Sequence, residues 1–110
     1  MTEIAFKKNK AEDWVGYVVS GHTGYAEAGE DIVCAAVSTA ATMCLNGITE
    51  VLGAEVGYEV GEAYLECVLP EKMPEKTRDG CRLLIDTLYL TLEDLKKQYG
   101  KHITITVLEV

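Results

Sequence analysis

At 110 residues with 48% hydrophobic content, the chain is sized for one small domain, residues 1–110, built on one core. Ten basic against eighteen acidic residues give a formal net charge of -8 at pH 7, which disfavours direct nucleic-acid binding and suits a basic partner such as a protein tail. No apolar run approaches bilayer-spanning length and the N-terminus lacks a signal peptide's apolar centre, so a soluble, intracellular protein with no membrane partner is expected.

Glu3 to Lys8 and Trp14 to Ser20 are rich in β-formers, and the polar turn Asn9 to Asp13 between them predicts an opening hairpin. A helical pattern runs from Asp31 to about Leu52, apolar at Ile32, Ala35, Ala36, Val37, Ala40, Met43, Cys44, Ile48 and Val51. Asp31 suits its N-cap and Gly53 its stop. So much apolar surface implies burial on more than one side, and a second subunit is one way to cover the extra face.

Ala54 to Val60 and Ala63 to Leu69 alternate like two strands around a turn at Gly61-Glu62. Pro70 to Pro74 reads as a surface loop. Glu75 to Tyr99 is a second amphipathic helix, with Leu83, Leu84, Leu88, Leu92 and Leu95 on its apolar side and Gly100 ending it. Ile103 to Val107 forms a closing strand. The order β-β-α-β-β-α-β predicts an α+β two-layer sandwich, with two helices on one face of a mostly antiparallel five-stranded sheet.

The cysteines are Cys34, Cys44, Cys67 and Cys81. None forms a Cys-x-x-Cys pair, and the two distant histidines supply no zinc spacing, so no metal or cofactor is expected. Cys34 and Cys44 lie roughly 15 Å apart along the first helix, too far for a disulfide. Cys44, Cys67 and Cys81 sit among apolar neighbours as small buried hydrophobes, and reduced thiols are expected.

Chemistry concentrates between Gly21 and Ser38. His22 ends the second strand, a loop punctuated by Gly21, Gly24 and Gly29 follows, and with Asp31 as N-cap Cys34 becomes the third helical residue. Unpaired N–H groups and the positive helix end favour a thiolate there, and an imidazole near it can act as general base and then general acid. The competing readings are a buried structural cysteine and a surface histidine that caps the loop.

Asp31 is read as a helix cap, as an orienter of the imidazolium, or as both. Ser38 shares the face of Cys34; it either donates to the thiolate or a substrate oxygen, or bonds back to its own helix. Tyr25 either packs over a bound peptide or closes the loop on the core. The glycines match no phosphate-binding fingerprint, and a loop that moves to admit an extended peptide is the better reading. His102, at a strand start, reads as a solvated turn residue.

Gly21-His22, Gly29 and Asp31-Ile32-Val33-Cys34-Ala35 resemble the signature of the Prp family of ribosomal-processing cysteine proteases. The resemblance implies a cytoplasmic homodimeric cysteine protease, with Cys34 as nucleophile, His22 as base and Asp31 as supporting acid. Its implied substrate is the short N-terminal extension of the twenty-seventh large-subunit ribosomal protein. Thr23 stands where the family usually has alanine, and Ala36 where glycine is also common; neither disturbs the dyad. The alternative is a non-enzymatic ribosome-associated binding or assembly factor in which Cys34 is structural.

Overall fold

The computed structural model describes residues 1–21 and 28–110, the side chains of 28–31 excepted. His22, Thr23, Gly24 and Tyr25 therefore lie outside the described residues. Strands β1 (Thr2–Lys8) and β2 (Trp14–Ser20) form the opening hairpin. Helix α1 (Ala28–Asn46) runs into a π-helical turn, Gly47–Val51. Strands β3 (Gly57–Gly61) and β4 (Tyr64–Val68) form a second hairpin. Helix α2 (Glu75–Tyr99), a short 3-10 turn (Gly100–His102) and strand β5 (Ile103–Glu109) complete the expected order.

The strands form one sheet in the order β3-β4-β2-β1-β5, with β1 and β5 parallel and every other pair antiparallel. Alternation sets the two faces. Ile4, Phe6, Tyr17, Val19, Leu65, Cys67 and Ile103 point to one side, where they pack with Val33, Val37 and Ala41 of α1 and Ile85, Leu88 and Leu92 of α2. Phe6 stands at the aromatic centre of this core, edge-on to Tyr89 at 5.1 Å and tilted against Trp14 at 5.4 Å. The Tyr17 hydroxyl crosses the layers to donate to the Ala41 carbonyl oxygen at 3.0 Å, which satisfies that buried donor. Leu84 covers Gly47 and Leu52 covers Gly80, so each helix meets the other where a side chain is missing.

The residues Ile32–Val51 are long and apolar enough, by length and composition, to pass for a membrane span, contrary to the reading from sequence. The buried stripe Val33, Val37, Ala41, Cys44 and Ile48 packs against the sheet and accounts for much of that hydropathy. Ile32 and Met43, by contrast, stay exposed, as does Val51 beyond them. Gly53 does stop the helix: it takes φ +67°, and the Ala54 N–H turns back to the Ile48 carbonyl at 2.9 Å.

Three local expectations are corrected. α1 begins at Ala28, so Asp31 is its fourth residue rather than its cap, and Cys34 its seventh rather than its third. Ala28 and Glu30 are good helix formers that carry the helix back past Asp31, whose cap assignment rested on residue type and on the glycine-punctuated loop before it. The second hairpin turns at Glu62-Ala63, not Gly61-Glu62, because Gly61 still pairs with Tyr64. Leu83 is 68% exposed, since the buried stripe of α2 runs through Cys81, Ile85, Leu88 and Leu92.

Candidate active site

β2 ends at Ser20, which pairs with Tyr64 at the start of β4. The ladder is extended one step by Gly21, whose N–H donates to the Ala63 carbonyl oxygen at 2.7 Å. The end of β2 is thereby tied to the turn between β3 and β4. Ala63 holds that turn with φ +56°, a left-handed conformation uncommon for a residue with a Cβ.

Cys34 comes down from α1 onto this junction. A methyl group at Gly21 would stand 2.7 Å from Cys34 Sγ, 3.4 Å from Ala63 Cβ and 3.7 Å from the Ala63 oxygen. The sulfur therefore occupies the space that the missing Gly21 side chain leaves. Cys34 is free and half-buried, with strand end and turn as its floor. Sequence reasoning placed Gly21 in the loop and missed Ala63 altogether. No local pattern marks an alanine that enters a site only through the register of its hairpin.

The other three thiols are free but buried. Burial pushes Cys44 up to about 11, against a partial lowering by the Tyr17 hydroxyl, and pushes Cys67 up to about 12. Burial raises Cys81 as well. A thiol held protonated inside the core is neither nucleophile nor ligand. Among the described residues, no group of three or more His, Cys, Asp or Glu side chains could hold a metal ion.

The expected positions separate as follows. Gly21 and Cys34 are brought into contact, and Ser38 follows one turn later on α1, half-buried beside Thr39, Thr42, Met43 and Asn46 around an open depression. Gly29 and Asp31 are in the first turn of α1. The roles read for His22 and Tyr25 fall outside the described residues. His102 is half-buried in its 3-10 turn rather than solvated, with Nδ1 shielded from solvent. The start of α1 also revises the electrostatics: the unpaired N–H groups belong to the turn ahead of Cys34, while the Cys34 amide lies within the helical ladder.

The family model of the cysteine protease Prp matches residues 1–104. A ribosomal processing cysteine protease Prp of Bacillus subtilis (strain 168) is 25% identical over 108 residues, which cover 96% of each chain. The crystal structure of SMU.848 from Streptococcus mutans superposes with a TM-score of 0.84 at 24% identity, covering 100% of this chain and 96% of that one. An essential ribosomal processing protease Prp from S. aureus, solved in complex with a substrate peptide, also gives 0.84, at 17% identity over 97% of this chain and 99% of that one. Both structures share the fold.

Proposed function

The chain belongs to the family of the cysteine protease Prp, and from that premise we propose that it is the endopeptidase that removes the short N-terminal extension of the twenty-seventh large-subunit ribosomal protein. The observation that carries this reading is the notch at Gly21 and Ala63, which seats a half-buried thiol while the other three are buried and held protonated. Membership of a protease family sets aside the non-enzymatic assembly factor weighed from the sequence.

In the proposed reaction the Cys34 thiolate attacks the scissile carbonyl carbon, and the carbonyl electron pair moves onto oxygen. Collapse of that oxyanion expels the amine, which takes a proton from the His22 imidazolium, and leaves an acyl-enzyme. His22 then accepts a proton from water as the water attacks the thioester, and the thiolate departs. Asp31, in the first turn of α1, is assigned to orient the imidazolium. Because the Cys34 amide belongs to the helical ladder, Ser38 is the better candidate on α1 to donate to a substrate oxygen.

Gly21, Gly29 and Tyr25 are assigned to the loop that admits the peptide. The whole of residues 1–110 acts as one protease domain. The net charge of -8 suits capture of a basic ribosomal protein. A cytoplasmic homodimer is proposed, with exposed Ile32 and Met43 on α1 as apolar surface for a second copy.

The test offers freshly reduced enzyme a synthetic peptide spanning the ribosomal protein's extension. Cleavage by the wild type that is lost in Cys34→Ser and His22→Ala is expected. Cleavage that persists in Cys34→Ser would remove the nucleophile assignment, and an intact peptide after long incubation with wild type would remove the substrate.

A further inference from the structure

β3 is a free edge of the sheet, and all five of its residues are exposed. Its two faces differ in chemistry. On the helix side Tyr58 and Val60 point over ground that neither helix covers, 62% and 60% exposed respectively. On the far side Glu59 stands directly across from Glu66 of β4. Like charges placed opposite each other on a sheet are destabilising. Among the described residues, no lysine or arginine forms an ion pair with either. The Tyr64 hydroxyl beside them is raised first by desolvation and then by the charges of Glu66 and Glu59.

An uncovered edge strand carries a row of unpaired N–H and C=O groups and templates the addition of another strand, unless charge, bulge or proline blocks it. β3 holds no proline, and its one charged side chain, Glu59, is an anion on the far face that a cationic strand would pair rather than avoid. Its C-terminal end enters the Glu62-Ala63 turn, and Ala63 is the residue hydrogen-bonded to Gly21 and packed at the Cys34 notch. A strand added to β3 would run about 14 Å from the line of β2, three strand spacings away, where Gly21 meets the thiol. About four further residues of extended chain cover that span to the thiol.

We propose that the β3 edge is the docking strand for the substrate, and that it selects an extended peptide in which apolar residues alternate with lysine or arginine. The apolar residues lie over Tyr58 and Val60, the cations come to Glu59 and Glu66, and the chain continues past the Glu62-Ala63 turn to Cys34. This deepens the protease reading and rests on it. Backbone pairing supplies affinity without sequence preference, so selectivity falls to the alternation that the two faces read.

The experiment separates docking from cleavage by measuring binding to Cys34→Ser protein. The probe is a fluorescein-labelled octapeptide alternating leucine with lysine, followed by anisotropy, with leucine–glutamine and leucine–glutamate octapeptides beside it. Binding of the lysine peptide at least tenfold tighter than the glutamate peptide is expected. Tyr58→Ser/Val60→Ser is expected to weaken the lysine peptide at least tenfold. Glu59→Gln/Glu66→Gln should weaken the lysine peptide and leave the glutamine peptide unchanged.

Equal affinity across the three peptides, or wild-type affinity in both double variants, overturns the proposal. It is also overturned if Tyr58→Ser/Val60→Ser splits a dimer in sedimentation without changing peptide affinity, since the edge then belongs to a second copy. In the background that keeps Cys34, normal KM for the extension peptide in Tyr58→Ser/Val60→Ser removes the docking edge and leaves the protease. Selective octapeptide binding by a wild type that cleaves nothing removes the protease and leaves the docking edge.

Discussion

Gly21→Ala tests whether the thiol is seated by a missing side chain. The new methyl would stand 2.7 Å from Cys34 Sγ and 3.4 Å from Ala63 Cβ. Carbon atoms pack best about 3.5–4.0 Å apart and sulfur is larger, so the overlap with the thiol approaches 1 Å while the contact with Ala63 is only tight. Relief requires Cys34 to leave its rotamer or the end of β2 to pull away from the Ala63 carbonyl. Overpacking of this kind costs about 1–3 kcal/mol. At about 4–8 °C per kcal/mol for a domain slightly smaller than this one, Tm falls measurably. A double-mutant cycle isolates the cause, because Cys34→Ala removes the sulfur. Gly21→Ala should be costly in wild type and nearly free in Cys34→Ala, with a coupling of about 1 kcal/mol or more by urea denaturation. Alkylation of Cys34 by iodoacetamide should change rate in Gly21→Ala, since the thiol has moved. Additivity within about 0.5 kcal/mol, together with an unchanged alkylation rate, would refute the notch.

In the folded protein at neutral pH, iodoacetamide should label Cys34 first, and mass spectrometry should find Cys44, Cys67 and Cys81 modified only after denaturation; comparable early labelling of Cys67 would contradict its burial. Stability should fall as pH rises above 9. The thiols of Cys44 and Cys67 ionise near 9 in the unfolded chain but keep their protons to about 11 and 12 when folded, so the unfolded state binds fewer protons in that window. The slope reaches up to about 1.4 kcal/mol per pH unit for each thiol, and Cys67→Ala should flatten it in pH-dependent denaturation. Ala63→Gly should stabilise the β3–β4 turn by about 0.5–1 kcal/mol, since φ +56° costs glycine nothing, while Ala63→Val should destabilise it; a stability loss in Ala63→Gly would argue that the Ala63 methyl itself is needed at the notch.

The elements were legible where the pattern was long. The β-former runs Glu3 to Lys8 and Trp14 to Ser20 and the helical spacing from Glu75 to Tyr99 are local signals, and the fold has strands and a helix at those places. Boundaries failed where tertiary or cap geometry decides them. Ala54 alternates like strand, but its N–H returns to Ile48 to close the helix, so β3 starts only at Gly57. Leu83 was grouped by residue type with the other leucines, whereas its angle on the helix puts it outside the Cys81-Ile85-Leu88-Leu92 stripe. The thiol and Gly21 were legible as a motif. Their contact was not, because it depends on α1 crossing the end of β2 and on the register that brings Ala63 alongside.

That crossing also explains why two cysteines of one helix differ so completely. Ten residues separate Cys34 from Cys44, which at about 100° per residue leaves them about 80° apart around the axis. Cys44 falls on the stripe with Val33, Val37, Ala41 and Ile48, where the sheet and α2 close over it and burial holds its proton. Cys34 falls on the flank of that stripe, at the end of the sheet rather than its middle. There β2 has ended and β4 is just beginning, and the floor is reduced to a glycine and a turn. A sulfur in that position packs against Gly21 and Ala63 yet stays only half-buried. The helix thus carries one thiol buried in the core and the other, the proposed nucleophile, half-buried at the sheet's end, and rotation about its axis separates them.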